Sequence, residues 1–317
     1  MRVGVIGVGA MGQHHVRIYN DMSNVDLVGI SDISKERVTE LSNQYGIEGY
    51  TNYEKLLFKE LDAVSIAVPT TLHKKIGLDA IANGTNLLIE KPIADTIENA
   101  NDLINAAYNA GVKLMVGHIE RFNPAVIRLK QILDSGLIGK VVSISTKRVG
   151  LYNPRIRDVG VILDIGIHDI DIMSYLYGKK VNEIYAIGGA NIHSFEDHAA
   201  IILRFDHELS GIVETNWLTP HKIRKLTAIG TKGVAYLDYL EQTLELHDGE
   251  WVRNAKVEKS EPLRNELEYF INSIINGIDP KPSGDDGMHA LEVAIAAVQS
   301  YNEARELKYN ITKIHFI

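Results

Sequence analysis

The sequence reads Gly7-Val8-Gly9-Ala10-Met11-Gly12 directly after an apolar run at residues 2–7. Where a G-x-G-x-x-G pattern connects a strand to a helix, each glycine meets a different structural requirement. Gly7 permits a tight turn, Gly9 lets the backbone approach a pyrophosphate, and Gly12 lets the helix pack closely on the strand. The free N–H groups at the start of the helix attract the diphosphate. The stretch therefore predicts a dinucleotide-binding turn.

Asp32 ends the second apolar run and lies 20 residues beyond Gly12. A carboxylate at this distance accepts hydrogen bonds from the hydroxyl groups of a ribose. Because its negative charge repels a 2′-phosphate, the sequence predicts NAD rather than NADP as the cofactor. Arg37 lies close by in the sequence, and its positive charge keeps NADP as the alternative.

The first 118 residues alternate apolar runs with amphipathic segments. Continuous Val, Ile and Leu runs favour strands that are buried on both faces of a parallel sheet. The predicted strands are residues 2–7, 27–32, 63–68, 86–90 and 113–117, and the predicted helices are residues 11–21, 34–45, 73–83 and 95–110. This alternation predicts a doubly wound α/β domain of the Rossmann type, assigned to residues 1–120.

The pattern changes after residue 120. Predicted helices at 124–135 and 163–178 flank one strand at 141–149, and between residues 183 and 251 strand follows strand. Strands joined by short turns indicate an open, mainly antiparallel sheet. Residues 121–317 are therefore predicted to form an α+β domain that binds substrate. Helices are expected to cover one face of its sheet, and the other face to join subunits into a homodimer or homotetramer.

The composition excludes several classes of protein. The chain has 317 residues, of which 45% are hydrophobic, with a formal net charge of −8 and no cysteine. The charge disfavours nucleic acid as a partner, and the lack of cysteine excludes disulfides, thiol nucleophiles and cysteine-bound metals. No apolar run approaches the length of about 18 residues that a membrane helix needs. We expect a cytoplasmic protein whose ligand is a small molecule, with neither nucleic acid nor membrane as a partner.

Glu90-Lys91-Pro92 follows the predicted strand at 86–90. A lysine at the carboxyl end of a parallel strand faces the crevice in which such sheets bind their ligands. Near the positively charged ring of an oxidised nicotinamide, a partly buried lysine favours its neutral form and becomes an acid–base group. The alternative is a surface lysine that pairs with Glu90.

One face of the predicted helix 163–178 carries Asp164, His168 and Asp171, which are spaced four and three residues apart. A carboxylate one turn from an imidazole orients it, and histidine suits proton transfer near neutral pH. The spacing therefore predicts acid–base chemistry by Asp164 and His168. An ordinary polar helix face and a zinc or iron site are the alternatives. No metal is predicted, because hydride transfer to NAD does not require one.

His73 follows Pro69 and Thr70 after the predicted strand at 63–68. It is predicted to line the nicotinamide side of the cofactor, with a helix cap as the alternative. Asn123 precedes the predicted helix 124–135 and would either hydrogen-bond substrate or cap that helix.

A polar loop at residues 150–158 contains Tyr152, Arg155 and Arg157. Two arginines next to the predicted catalytic helix would grip a diphosphate through paired hydrogen bonds. Solvated loop charges are the alternative.

Taken together, the glycine pattern, Glu90-Lys91-Pro92 and Asp164-x-x-x-His168 resemble the oxidoreductase family named for glucose–fructose oxidoreductase, inositol dehydrogenase and MocA. The resemblance spans nearly the whole chain. It implies a Rossmann domain, an open-sheet domain, a tightly held NAD(P), and oxidation or reduction at a sugar or polyol carbon. It also implies that Lys91 contacts the reacting hydroxyl, that Asp164 binds substrate and that His168 is the general base. The cofactor contacts it implies are Gly7, Gly9, Ala10, Met11, Gly12, Asp32, Pro69, Thr70, His73, Glu90 and Lys91.

Residues 121–124 and 152–158 resemble those of family members that oxidise C3 of UDP-N-acetylglucosamine. The substrate contacts this implies are Lys91, Asn123, Tyr152, Arg155, Asp164 and His168, and the product would be a 3-keto sugar. A free polyol such as inositol is the alternative substrate. A non-catalytic dinucleotide sensor is the alternative of another class, and the intact set of Lys91, Asp164 and His168 argues against it.

Overall fold

A computed structural model describes residues 1–152, 159–206 and 208–304. The described residues form two compact units, the first from residues 1–128 and 256–292 and the second from residues 129–255 and 293–304. The assignment of cofactor binding to residues 1–120 and of substrate binding to residues 121–317 stays a prediction, because compactness alone does not assign a ligand. Within the described residues, no helix is both long enough and apolar enough to cross a bilayer.

The first unit contains a six-stranded sheet in which every pairing is parallel. Its strands are β1 (Arg2–Ile6), β2 (Asp26–Ser31), β3 (Glu48–Tyr50), β4 (Ala63–Ile66), β5 (Asn86–Glu90) and β6 (Leu114–Gly117). They lie in the order β3-β2-β1-β4-β5-β6, which is the order of the dinucleotide-binding doubly wound fold. The order reverses direction beside β1, so the turn after β1 opens at the switch point where such sheets bind ligands.

Helices connect these strands. They are α1 (Gly12–Asp21), α2 (Lys35–Tyr45), α3 (Tyr53–Leu57), α4 (His73–Ala82) and α5 (Ile97–Ala110). Their ends follow from local chemistry: the Ser34 side chain accepts a hydrogen bond from the Arg37 N–H at the start of α2, and Gly46 ends that helix in a left-handed conformation. The predicted alternation of strands and helices is confirmed.

Two short elements were not predicted from the sequence. The strand β3 has only three residues and pairs at the edge of the sheet, and α3 has five residues. Neither is long enough to show a hydrophobic period, which explains why residues 46–62 carried no predicted element.

A helix from the last quarter of the sequence, α8 (Pro262–Ile275), belongs to the first unit. Its Leu267 and Phe270 are fully buried in the same core as Val16 and Tyr19 of α1. Arg264 pairs with Asp21 at 2.9 Å at the edge of this contact. The first sheet is therefore covered by residues from both ends of the chain.

The second unit contains an eight-stranded sheet with the order β14-β13-β12-β11-β7-β10-β9-β8. Its strands are β7 (Val141–Leu151), β8 (Glu183–Gly189), β9 (His198–Asp206), β10 (Leu209–Asn216), β11 (Leu218–Gly230), β12 (Gly233–Asp238), β13 (Thr243–His247) and β14 (Val252–Asn254). All pairings are antiparallel except that of β10 with β7. The predicted fold class, an α/β domain followed by an α+β domain with a mainly antiparallel sheet, is confirmed.

One face of the second sheet is covered by α7 (Ile167–Tyr177). A Cβ at Gly211 of β10 would lie 2.6 Å from the Met173 sulfur, so only glycine allows the helix to approach this closely. Tyr177 packs on Phe205 at 4.7 Å between ring centroids and donates a hydrogen bond to the Ser210 carbonyl. The remaining helices are α6 (Pro124–Asp134) and α9 (Gly284–Ala304).

The predicted single helix at 163–178 is interrupted. Ile162–Gly166 forms a π-helical turn, and the α-helix begins only at Ile167. Sequence periodicity does not distinguish a π turn from an α turn. Such turns occur frequently at functional sites, and this one contains Asp164.

Candidate active site

The turn after β1 has the geometry that its glycines predict. Gly7 has φ +85°, and a Cβ on it would lie 2.5 Å from the Ala67 carbonyl oxygen. A Cβ on Gly12 would lie 1.8 Å from the Gly7 carbonyl oxygen. By contrast, a Cβ on Gly9 would meet only the Arg37 guanidinium within 4 Å. Gly7 and Gly12 are therefore required by the protein's own packing, and Gly9 leaves its surface open to a ligand.

Asp32 lies directly beside this turn. Its carboxylate accepts hydrogen bonds from the Val8 N–H and the Ser34 N–H, both at 2.8 Å. The first bond ties Asp32 to the glycine turn and the second to the start of α2. Each bond uses one lone pair of a different carboxylate oxygen, so both oxygens retain capacity to accept from ribose hydroxyls.

A cavity of about 490 Å³ opens next to Gly7, Gly9 and Asp32. Its walls include the apolar side chains of Ile33 and Leu72, and Ile33 is 94% exposed. Arg37 and Lys75 add positive charge to the lining. Apolar walls, one carboxylate and two cations suit an adenosine and its phosphates, so these residues fit a bound dinucleotide.

Glu90, at the end of β5, is buried and accepts a hydrogen bond from the His15 ring at 3.1 Å. Burial alone would raise the pKa of Glu90, but the bond from His15 and the nearby charge of Lys91 lower it. Glu90 is therefore a carboxylate immediately before Lys91. The acid–base role of Lys91 and the alternative of a pair with Glu90 both stay predictions.

His73 begins α4 and is 1% exposed. Its two ring nitrogens each lie 3.0 Å from a carbonyl oxygen, one of Val68 and one of Pro92. Burial lowers the pKa of His73, and the neutral ring donates to one of these carbonyls. His73 thus connects the loop after β4 to the backbone directly after Lys91. The predicted contacts of Pro69, Thr70 and His73 with cofactor stay predictions.

Asn123 is 2% exposed, and its side-chain oxygen accepts a hydrogen bond from the Ala125 N–H at 3.1 Å. Its amide nitrogen donates to Glu120 at 3.4 Å. This geometry corresponds to the helix-capping alternative. A substrate contact at Asn123 stays a prediction.

Asp164 lies in the π turn and is partly exposed. Its Oδ2 accepts a hydrogen bond from the Trp217 indole N–H at 3.3 Å. The Tyr152 ring packs against the same indole, with centroids 5.1 Å apart. Two predicted substrate residues, Asp164 and Tyr152, thus both contact Trp217.

His168 lies in the first turn of α7 and is partly exposed, whereas Asp171 on the next turn is 2% exposed. Between them, Asp169 is fully buried and forms a two-pronged ion pair with Arg148 of β7, at 2.9 and 3.1 Å. The pair anchors the helix that carries His168 to the sheet. In the three described ranges, no group of three or more His, Asp or Glu side chains is arranged to hold a metal ion. Arg155 and Arg157 lie outside the described residues.

The sequence patterns did not single out three residues that support the site. They are His15, Asp169 and Trp217, which contact Glu90, Arg148 and Asp164 respectively. His15 is fully buried, and its ring contacts the Glu90 carboxylate. The only signal for Trp217 is that a tryptophan ends a strand, and no local spacing connects it to Asp164. Trp217 and Asp164 are 53 positions apart, and His15 and Glu90 are 75 positions apart. Such contacts depend on the order of the strands in the folded chain, which local sequence patterns do not reveal.

Two family models match the chain. Residues 1–118 match an oxidoreductase family with an NAD-binding Rossmann fold, and residues 126–236 match the GFO/IDH/MocA C-terminal domain. UDP-N-acetylglucosamine 3-dehydrogenase of Acidithiobacillus ferrooxidans is 31% identical over 309 residues, which cover 94% of this chain and 96% of the relative. The chain belongs to the GFO/IDH/MocA oxidoreductase family. The predicted family, the NAD cofactor and the activity of a dehydrogenase on CH–OH groups are confirmed.

Other family members are similar over the same length. The myo-inositol 2-dehydrogenase of Thermotoga maritima is 28% identical and covers 97% of this chain and 98% of its own. The solved structure of UDP-N-acetylglucosamine 3-dehydrogenase from Acidithiobacillus ferrooxidans superposes with a TM-score of 0.89 at 28% identity, covering 96% and 98% of the two chains. A nucleotide-sugar dehydrogenase and a polyol dehydrogenase thus match to a similar degree.

Proposed function

We propose that this GFO/IDH/MocA dehydrogenase oxidises the C3 hydroxyl of a nucleotide sugar such as UDP-N-acetylglucosamine to a ketone. The similarity to the Acidithiobacillus ferrooxidans enzyme, 31% identical over nearly the full length of both chains, supports this substrate. The resemblance of residues 121–124 and 152–158 to the same group of enzymes points in the same direction.

The cofactor would be held by the residues around the glycine turn. Gly9 leaves room for the pyrophosphate, the N-terminus of α1 supplies N–H donors, and Asp32 accepts from the adenosine ribose. When bound, NAD supplies the acceptor for the hydride that leaves the carbinol carbon. The contacts of Ala10, Met11 and Glu90 with cofactor are part of the same proposal.

The proton would be moved by the chain's own side chains. In the proposed reaction, His168 removes the hydroxyl proton as general base, since a neutral imidazole near pH 7 is suited to this step. Asp164 binds and orients the substrate. Lys91 donates a hydrogen bond to the reacting oxygen, and Glu90 behind it stays ionised. Asn123, Tyr152 and Arg155 are proposed as further substrate contacts.

A polyol such as inositol is the second candidate substrate. The observation that favours it is the 28% identity to the Thermotoga maritima myo-inositol 2-dehydrogenase over 97% of this chain. Its product would also be a ketone, and the roles of Lys91, Asp164 and His168 would be the same.

Steady-state reduction of NAD at 340 nm distinguishes the two substrates. The purified protein is assayed with UDP-N-acetylglucosamine, UDP-N-acetylgalactosamine, myo-inositol, scyllo-inositol and glucose at matched concentrations. We expect kcat/KM to be highest for a UDP-N-acetylhexosamine. Rapid turnover of an inositol together with inactivity on both nucleotide sugars would reject the first proposal and support the second.

We also propose that the protein is located in the cytoplasm and forms a homo-oligomer.

A further inference from the structure

We propose that Trp217 is a positioning residue that holds the Asp164 carboxylate in the orientation needed for substrate. This inference rests on the proposed function in one respect, namely that Asp164 contacts the substrate. It concerns a residue that neither the sequence patterns nor the family resemblance singled out.

The contact itself is a side-chain hydrogen bond. The indole N–H of Trp217 donates to Asp164 Oδ2 at 3.3 Å. Trp217 is 4% exposed, while Asp164 is partly exposed. A buried, rigid donor therefore reaches a carboxylate at the edge of solvent. Hydrogen bonds to a charged acceptor are about twice as strong as those between neutral groups.

The indole ring is held by two other rings. Tyr152 lies 5.1 Å from it at an interplanar angle of 60°, and His193 lies 5.7 Å from it at 87°. Tyr152 and His193 are themselves stacked, with centroids 3.8 Å apart. Tilted and edge-to-face pairs of this kind fix ring orientation. The indole N–H consequently has one direction in which to donate.

The backbone of Trp217 is fixed as well. Its N–H donates to the Asp197 carbonyl at 2.9 Å, and its carbonyl accepts from the Tyr152 N–H at 3.1 Å. Asp197 is in turn held by the Asn191 and Ile192 N–H groups, which donate to its carboxylate at 2.7 Å. The backbone of Trp217 is therefore held by the residue that follows β7 and the residue that precedes β9.

Asp164, by contrast, lies in the π turn Ile162–Gly166, in which the Ile167 N–H donates to the Ile162 carbonyl five residues back. Its backbone N–H donates to the Gly160 carbonyl at 3.0 Å. A carboxylate on an irregular turn depends on side-chain partners for its orientation, and a misplacement of about 1 Å reduces the rate strongly. Trp217 supplies one such partner from the sheet.

The hydrogen bond can be tested without substrate, because the chain has only two tryptophans. The second, Trp251, is 61% exposed, so the Trp251→Phe protein reports on Trp217 alone. In ¹H–¹⁵N spectra of this protein, we expect the indole N–H resonance to move upfield by several tenths of a ppm when Asp164 is also changed to Ala. An unmoved resonance would overturn the proposed contact. Glu214→Ala, on the outward face of the sheet, is the control that leaves the resonance in place.

Kinetics test the positioning role. In the Trp251→Phe background, Trp217 is replaced by benzothienylalanine, which keeps the bicyclic shape but has sulfur in place of the N–H. We expect kcat to fall roughly tenfold to a hundredfold, the range for losing a hydrogen bond to a charged group, with unchanged NAD affinity. Trp217→Phe should behave similarly, and its melting temperature shows whether it is folded. The same background protein with ordinary tryptophan is the matched control.

The outcomes separate this inference from the proposed function. If Asp164→Asn lowers kcat and benzothienylalanine does not, Trp217 has no positioning role although Asp164 acts as proposed. If neither change affects turnover of any substrate in the panel, the proposed role of Asp164 is wrong, and the positioning role of Trp217 with it. A loss in both proteins, with NAD binding preserved, supports the inference.

Discussion

At the scale of single residues, the preference between the two nicotinamide cofactors depends on Asp32. Its carboxylate accepts from Val8 and Ser34 and lies in a cavity that also contains Arg37. We predict that Asp32→Ala weakens NAD binding roughly tenfold to a hundredfold and narrows the gap to NADP, because a charged acceptor is lost and the repulsion of a 2′-phosphate disappears. Calorimetric Kd values for both cofactors measure this effect.

The matched control for that change is Glu36→Ala. Glu36 is an exposed acid in the first turn of α2, four residues from Asp32. It should leave both Kd values within about a factor of two. Tighter binding of NADP than of NAD to the unmodified protein would contradict the prediction that Asp32 excludes the 2′-phosphate.

His168 is the residue on which the proposed proton transfer depends. We predict that His168→Ala lowers kcat by about 10²–10⁴-fold, the usual span for the loss of a general base, while the Kd for NAD stays unchanged. Steady-state kinetics and a binding titration on the same preparation measure the two quantities. His221→Ala removes an exposed histidine of β11 in the same unit and serves as the control. Near-normal turnover without His168 would remove it from the mechanism.

At the scale of elements, Ser283 and Asp286 cap the N-terminus of α9 by hydrogen-bonding to each other. The Ser283 N–H and hydroxyl donate to Asp286 at 2.8 and 2.7 Å, and the Asp286 N–H donates back to the hydroxyl at 3.3 Å. Burial would raise the pKa of Asp286, but Arg121 and the bonds from Ser283 lower it to about 2. This is the capping-box arrangement, with aspartate as the acid.

The low pKa makes this cap sensitive to acid. Because the folded form favours the carboxylate, its stabilisation is complete above about pH 4 and is lost as the pH falls towards about 2. We predict that Asp286→Asn lowers the free energy of unfolding by about 1–2 kcal/mol at pH 7. The difference from the unmodified protein should shrink between pH 4 and 2, as measured by urea unfolding. Asp285→Asn, at the exposed neighbouring position, should show neither effect.

The helix that carries His168 is anchored by the buried pair of Asp169 and Arg148, whose guanidinium also lies 4.7 Å from the Tyr239 ring centroid. We predict that Asp169→Asn destabilises the protein by about 3–5 kcal/mol, because it removes a negative charge that pairs with the buried arginine. Thermal and urea unfolding measure the loss. Breaking the exposed pair of Glu183 and Arg204 by Glu183→Gln should cost less than about 1 kcal/mol. Equal costs for the two changes would contradict the assigned role.

The same elements show what could be predicted from the sequence. Strands such as β1 and β4 are continuous apolar runs, and Gly7 and Asp32 have fixed spacing, so pattern alone located them. The three-residue strand β3 and the π turn at Asp164 have no period to detect. The contact of His15 with Glu90 exists because β5 lies two strands from β1 in the sheet. That order is a property of the folded chain.

At the scale of the whole molecule, the outward face of the second sheet exposes several large apolar side chains. Six of them, on the strands β8 to β12, are each between 42% and 52% exposed: Tyr185, Ile187, Ile202, Ile212, Ile229 and Tyr236. Ile202 and Ile212 are directly paired across β9 and β10, and Tyr185 is paired with Ile202 across β8 and β9. Large exposed apolar side chains grouped in this way are typical of a surface that another subunit covers.

We predict that the protein is a homo-oligomer through this face, so that light scattering gives a mass that is a multiple of 35.2 kDa. Ile202→Lys combined with Ile212→Lys should reduce the mass to that of one chain, because two directly paired charges would have to be desolvated in the contact. Ile278→Lys changes an isoleucine that is 57% exposed but lies outside the sheet, and it should leave the mass unchanged. Two results would contradict the prediction that this face joins subunits. One is a monomeric mass for the unmodified protein at all concentrations tested, and the other is an intact oligomer with both lysines present.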